Sequence, residues 1–179
     1  MPKDPNRPLS FHDLRPRPAE RQAEIRTDRF PIALLLDRLV DPGNLGLLFR
    51  LADAARLQEI ILWQTPMDEP GRKTRRIARS TVPIVPFRHL QTEAELAALT
   101  DEYSLVALEY TNRSIPYTEF QPTGPVLLLA GNEQEGLSPL LLDAAEASIH
   151  LPMYGLNSSL NVACAASVAV YDLLGKFRT

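Results

Sequence analysis

The chain has 179 residues, a formal net charge of −3 and a single cysteine, a length suited to one domain that buries about 70% of the surface its unfolded chain would expose. No apolar run approaches the ~20 residues of a membrane span, the polar N-terminus has no secretory core, and a lone cysteine forms no internal disulfide, so a soluble protein of the reducing cytoplasm is expected. Net acidity excludes a uniformly basic nucleic-acid binder but not a local one, because almost all of the positive charge is arginine, whose planar fork pairs with phosphate in bidentate fashion.

Residues 1–29 carry five prolines, alternating charge and six arginines (Arg7, Arg15, Arg17, Arg21, Arg26, Arg29) with little apolar periodicity. That composition builds no core and predicts an extended arm, with at most a short helix around residues 19–25. From residue 30 the character changes. Residues 32–36 form a continuous apolar run, the pattern of a fully buried strand in a parallel sheet. Asp41-Pro42-Gly43-Asn44 then reads as a turn whose Asp and Asn can also cap a helix. The helix expected over residues 45–57 is apolar at Leu47, Leu48, Leu51, Ala52 and Ala55 and carries Arg50.

A second strand is expected at residues 60–63, a charged helix at 74–79, a third strand at 82–85, a helix at 93–99 and a strand at 105–108. The charged helix lies in GRKTRRIAR, where Arg72, Lys73, Arg75, Arg76 and Arg79 form the second basic cluster. Such runs are most often a solvated face; a phosphate-binding patch is the alternative. Residues 126–130 are a buried apolar strand, followed by a turn framed by Gly131 and Gly136, a short helix, a strand at 148–151, a polar loop and a closing helix from about residue 160. Strands alternating with helices throughout residues 30–179 predict one α/β domain with a mostly parallel sheet flanked by helices. In open α/β sheets ligands bind at the carboxyl ends of strands, where these two late loops fall.

Several chemistries are absent. There is no GxxxxGK[ST] phosphate cradle, no GxGxxG opening a helix and no GxSxG elbow. The histidines (His12, His89, His150) are scattered, and no zinc-ligand set suggests itself. His150, in a predicted strand, is expected to be a hydrogen-bonded sheet residue, and Cys164, in an alanine-rich helix, a small buried packing residue.

What remains is a site of loops bearing Asn, Arg, Glu and Ser, and these residues carry a specific resemblance. Asn44-x-Gly46-x-x-x-Arg50 after the first strand, Gly131-Asn132-Glu133-x-x-Gly136 after a later one, and Leu151-Pro152-Met153-x-Gly155-x-x-x-Ser159-Leu160-Asn161-Val162 before the last helix resemble the three ordered motifs of the SpoU (TrmH-like) RNA 2′-O-ribose methyltransferases of the SPOUT class. The resemblance implies a C-terminal deep trefoil knot, which generic topology rules would never suggest. It also implies S-adenosylmethionine as methyl donor, tRNA or rRNA as substrate, and a homodimer with the last helix at its interface.

Carried over residue by residue, it implies Arg50 as the catalytic centre, Asn44 holding the first loop, and Glu133, Ser159 and Asn161 keeping loop and RNA in register. Gly131, Leu151 and Leu160, and more weakly Leu108, match positions whose main chain contacts the cofactor. A ribose 2′-hydroxyl is a poor nucleophile at neutral pH, so transfer needs proton removal or polarisation beside the methyl donor. Arginine is an awkward base; either Arg50 orients and neutralises a phosphate, the favoured reading, or it accepts the proton in a special environment. The alternative from another class is a knotted RNA-binding protein that no longer methylates.

Overall fold

The structure is a computed structural model that describes residues 28–66 and 69–178, together with Pro8. The expected arm, its short helix and Arg7, Arg15, Arg17, Arg21 and Arg26 lie outside the described residues. Twelve elements follow in order: β1 (Ile32–Asp37), α1 (Pro42–Ala54), β2 (Ile60–Trp63), α2 (Arg72–Ala78), β3 (Phe87–Leu90), α3 (Glu93–Ala98), β4 (Ser104–Leu108), β5 (Ile115–Pro116), β6 (Val126–Ala130), α4 (Pro139–Ala144), β7 (Ala147–His150) and α5 (Val162–Phe177). The strands form one sheet in the order β3-β2-β1-β6-β4-β7-β5, and every pairing is parallel.

Parallel strands buried on both faces need helices on both sides, and the side chains divide accordingly. Ile32, Leu34 and Leu36 of β1, with Val126 and Leu128 of β6, pack beneath α1, α2 and α5. Their neighbours Ala33, Leu35, Leu127 and Leu129 point the other way, under α3 and α4. β1 and β6 are buried throughout, in register from Ile32 against Val126 to Leu36 against Ala130. Among the described residues no helix is long and apolar enough to cross a membrane.

Four differences from the sequence expectation have physical causes. The third strand is not at residues 82–85. Pro83 and Pro86 withhold ladder donors there, and the segment turns through bonds from Ile84 N and Val85 N to Thr81 O (2.9 and 3.0 Å). The strand forms one step later, at the sheet edge, as Phe87–Leu90. The first helix starts at Pro42, with Asp41 as N-cap accepting from Gly43 N at 2.9 Å. Proline at the first helical position costs no hydrogen bond, so the expected turn is the helix's first turn and Asn44 lies within it.

The last helix starts at Val162 because Asn161 caps it, its Oδ1 accepting from Ala163 N and Cys164 N. Finally, Cys164 is exposed: Ala163, Ala166 and Ala169 face the protein's own core, which puts Cys164 on the outer stripe with Val168 and Tyr171. β5, two residues long, is too short to carry a periodic signal. Arg29, grouped with the arm in the sequence, is bound into the domain through its guanidinium, which donates to Leu57 O and Ile84 O, both at 2.8 Å.

Candidate functional site

The carboxyl ends of β1, β6, β4 and β7 lie side by side, and the loops that leave them bring the three sequence motifs together. Asn44, buried in the first turn of α1, donates from Nδ2 to Glu133 Oε1 at 2.8 Å. Its Oδ1 accepts from Asn161 Nδ2 at 2.9 Å. One side chain from each motif therefore joins a single chain of hydrogen bonds in which Asn44 is the middle link. Asn161 uses its remaining oxygen to cap α5, so the same residue sets where the helix begins and where the first loop sits.

A second network braces the loop after β6. Asp37, fully buried at the end of β1, accepts from Ser138 N at 2.6 Å and from Arg38 Nε at 3.2 Å. Arg38, at φ 52, also reaches Glu135 and the Gly136 carbonyl, and its own carbonyl accepts from Asn132 Nδ2 at 2.8 Å. Hydrogen bonding to Asp37 holds the Arg38 guanidinium above its ordinary pKa, which keeps this brace charged. Within the loop, Asn132 and Gly136 exchange two backbone bonds of 3.0 Å each. Gly136 takes φ +68, and a Cβ on Gly131 would stand 2.3 Å from the Gly136 carbonyl carbon. Both framing glycines are thus required, one by backbone conformation and the other by backbone contact.

These loops enclose a cleft of about 720 Å³. Leu108, Gly131, Leu151 and Leu160 all line it, as do Glu133, Ser159 and Asn161. Arg50 does not. It is exposed on another face of α1, two turns beyond Asn44, and lines a separate cleft of about 490 Å³ with Leu47, Asp53, Thr81, Cys164 and Ser167. The two clefts flank the N-terminal turn of α5, since Val162 and Ala165 line the first and Ala163 and Cys164 the second. Among the described residues the Arg50 guanidinium makes no hydrogen bond or ion pair.

The basic helix is docked on the motif-bearing helix. Thr74, fully buried, donates to Pro42 O at 3.2 Å, and a Cβ on Gly46 would come within 2.8 Å of Ile77 and 2.9 Å of Thr74 O. Gly46 is therefore explained by the close approach of α1 and α2. All five cationic residues are exposed. Lys73 pairs with Asp41 at 3.3 Å and Arg75 with Glu69 at 3.1 Å, whereas Arg72, Arg76 and Arg79 have no such partner among the described residues.

Three site residues carried no sequence signal: Asp37, Arg38 and Glu109. Glu109 accepts from Leu137 N at 3.2 Å and from Tyr110 N at 3.0 Å. A charged residue ending an apolar strand is the one cue that could have found Asp37 and Glu109. His150 is hydrogen-bonded as expected, through Nδ1 to Ser114 Oγ at 2.9 Å, and it also lines the larger cleft.

An all-parallel α/β/α domain whose strand-end loops close on a glycine-framed cleft, with Glu133, Asn44 and Asn161 from three separate loops bonded in series, defines a ligand-binding α/β domain that gathers its three motifs at one site. The chain belongs to the SpoU rRNA Methylase family, which its residues 31–171 match. It is 34% identical over 142 residues to the 23S rRNA (guanosine(2553)-2′-O)-methyltransferase RlmP of Bacillus subtilis, a match covering 79% of this chain and 57% of that protein.

Among solved structures, the AdoMet-bound rRNA methyltransferase from Sinorhizobium meliloti is similar with a TM-score of 0.75 and 32% identity over 83% of this chain and 58% of the other. The SpoU methyltransferase AviRb from Streptomyces viridochromogenes, in complex with the cofactor AdoMet, is similar with a TM-score of 0.76 and 27% identity over 89% and 65% of the two chains. The chain thus spans less than two thirds of the length of these relatives.

Proposed function

We propose that this chain transfers a methyl group from S-adenosylmethionine to a ribose 2′-hydroxyl of structured RNA, tRNA or rRNA, with residues 30–179 as the catalytic domain and residues 1–29 as an arm. The observation that carries this reading is the Glu133–Asn44–Asn161 chain, which joins all three motifs beside a cleft of ligand size. A protein that kept only the fold would gain nothing specific from that arrangement. Action on tRNA or rRNA implies a cytoplasmic protein.

The cleft suits the methyl donor. Its volume falls within the range of small-molecule sites. Leu108, Leu151 and Leu160 offer apolar surface, and Gly131 keeps the backbone clear of any side chain. S-adenosylmethionine supplies, when bound, a methyl group on a sulfonium that a weak oxygen nucleophile can attack. The chain's own residues do the rest. Asn44, itself fixed by Asn161, holds Glu133 in one orientation, and Glu133 and Ser159 present hydrogen-bonding groups to the incoming ribose. Arg50 meets a phosphate of the same strand from the neighbouring cleft, orienting it and offsetting its charge, while the hydroxyl proton leaves through a phosphate oxygen or water.

Arg72, Lys73, Arg75, Arg76 and Arg79 extend that electropositive track, held beside α1 by the Gly46–Thr74 contact. The outer stripe of α5, with Val168 and Tyr171 40% and 56% exposed, continues across Leu47 of α1, 42% exposed. This apolar face supports a homodimer through the C-terminal helix. Tyr154 and Leu156, in the loop before α5, are more than nine-tenths exposed and also favour a partner surface. The same loop is the segment that would be threaded in a trefoil knot.

The test is calorimetric titration of the protein with S-adenosylmethionine, followed by methyl incorporation into total RNA and mapping of the modified ribose. Cofactor binding without methyl incorporation into any RNA would support the non-catalytic RNA-binding alternative.

A further inference from the structure

One end of the larger cleft, next to the start of the third motif, is built from residues that no motif includes. Tyr110 and Thr111 leave β4, and His150 ends β7. In the strand order β1-β6-β4-β7 these positions stand two and three strands from β1, roughly 10–15 Å along the sheet edge at ordinary strand spacing. That places them opposite the reacting end, where Asn44 and Glu133 lie.

The hydrogen-bond pattern accommodates the Nδ1–H tautomer of His150. Ser114 has one hydroxyl proton, and the carbonyl of Thr111, at 2.8 Å, can only accept it. The same oxygen already accepts from Thr111 N at 3.1 Å. With that proton on the Thr111 carbonyl, which Ser114 N also meets at 3.1 Å, the contact with His150 Nδ1 at 2.9 Å is one in which Nδ1–H donates. In the neutral ring the other nitrogen, Nε2, is then an acceptor, and no protein partner meets it among the described residues. The plane of the ring is held as well: Tyr110 stacks on it, with centroids 4.1 Å apart and an interplanar angle of 30°. Beside it Thr111 Oγ1 is buried without a hydrogen-bond partner. A histidine held in one plane on the wall of a ligand cleft, with a ring nitrogen that meets no protein partner among the described residues, reads a donor group when its proton is on Nδ1.

We propose that His150 is the residue that recognises the purine of the methyl donor, its Nε2 accepting a hydrogen bond from the 6-amino group of adenine. Tyr110 and Ser114 are positioning residues that keep the imidazole in that plane and tautomer. This rests on the cofactor reading given above. It differs from the expected main-chain contacts in assigning base selectivity to side chains that are particular to this chain's β4 loop and β7 end. A purine with oxygen in place of the amino group would set an acceptor against an acceptor and leave Nε2 unpaired, the situation in which polar sites discriminate strongly.

The test compares S-adenosylhomocysteine with S-inosylhomocysteine by isothermal titration calorimetry, which requires no RNA and no turnover. The wild-type protein is expected to prefer the adenosyl ligand by about tenfold or more. His150→Phe keeps a ring for Tyr110 to stack on but removes the acceptor; its preference should fall about tenfold, mainly through weaker adenosyl binding. His150→Gln, which restores an acceptor, should recover part of it. Ser114→Ala, a change in a partly exposed loop, should also lower the preference because Nδ1 no longer has its acceptor. Tyr110→Phe should match wild type, and Tyr110→Ala should not. An unchanged preference in His150→Phe or Ser114→Ala, with wild-type melting temperature, overturns this proposal while leaving the cofactor reading intact. Failure of wild-type protein to bind S-adenosylhomocysteine at all overturns both.

Discussion

Replacing Gly131 by alanine adds one methyl group at the point where the loop after β6 folds back on itself. Its Cβ would stand 2.3 Å from the carbonyl carbon of Gly136, 2.4 Å from Leu137 N and 2.6 Å from Gly136 O. All three are backbone atoms, so no rotamer change relieves the contact. Ordinary heavy-atom separations are about 3.5–4.0 Å, which means that residues 136–137 must retreat by more than about 1 Å. They are tethered against that movement by the two bonds between Asn132 and Gly136 and by those from Leu137 N to Glu109 and from Ser138 N to Asp37. Losing two of these at about 1 kcal/mol each, on top of about 1–3 kcal/mol for overpacking, gives a destabilisation of about 3–5 kcal/mol. At roughly 2–4 °C per kcal/mol for a chain of this size, the melting temperature should fall by roughly 6–20 °C. The displaced backbone also lines the cleft, so calorimetry should show a clear loss of affinity for S-adenosylhomocysteine. Gly155→Ala is the control, since nothing lies within 4 Å of its Cβ position. A Gly131→Ala protein with wild-type melting and wild-type affinity would refute the described loop and the assignment of the cleft.

Arg50→Ala should abolish methyl transfer to RNA while leaving cofactor affinity within about threefold, because Arg50 lies outside the larger cleft; a fully active variant removes it from the mechanism. Asn161→Ala should destabilise by about 2 kcal/mol, from the lost N-cap and the orphaned Asn44 Oδ1. Asn161→Asp should restore most of that in thermal melts by keeping the cap, yet not recover methyl transfer, because it cannot donate to Asn44. Changing Arg72, Lys73, Arg75 and Arg76 to Gln should weaken RNA binding and flatten its salt dependence, each lost phosphate contact lowering the slope by about 0.7–0.9; a slope identical to wild type removes the patch from the RNA interface. Burial, and then Glu59, push the Tyr103 hydroxyl up to about 12, so in an ultraviolet titration it should ionise later than an exposed tyrosine. The sign follows: between the ordinary value of 10.0 and about 12 the unfolded chain has released a proton that the folded one retains, so this group lowers stability as pH rises through that window. Tyr103→Phe should reduce that loss, measured by denaturant melts at pH 9 and 11.

The sequence by itself determined most of the elements and the motif residues that line the larger cleft. Periodicity is a local property: the apolar runs of β1 and β6 are buried whatever strands flank them, and Asp41-Pro42 carries helix-start chemistry in its own side chains. Capping explains why the helix boundaries nevertheless moved, since Asn161 and Asp41 each had more than one local partner available. Prolines at positions 83 and 86 were visible, but the apolar content of Val82 and Val85 masked them; those side chains are buried in a turn beneath α1, not in a strand.

Only the tertiary structure decided which of the motif residues meet. The bonds from Asn44 to Glu133 and from Asn161 to Asn44 close across 89 and 117 residues, and those distances in sequence are set by strand order, with β6 inserted between β1 and β4. Helix geometry separates Arg50 from the cleft although it stands only six positions after Asn44, because six residues along a helix turn the side chain to another face. Asp37, Glu109 and His150 became part of the site for the corresponding reason: each ends a strand whose neighbours in the sheet are distant in the chain.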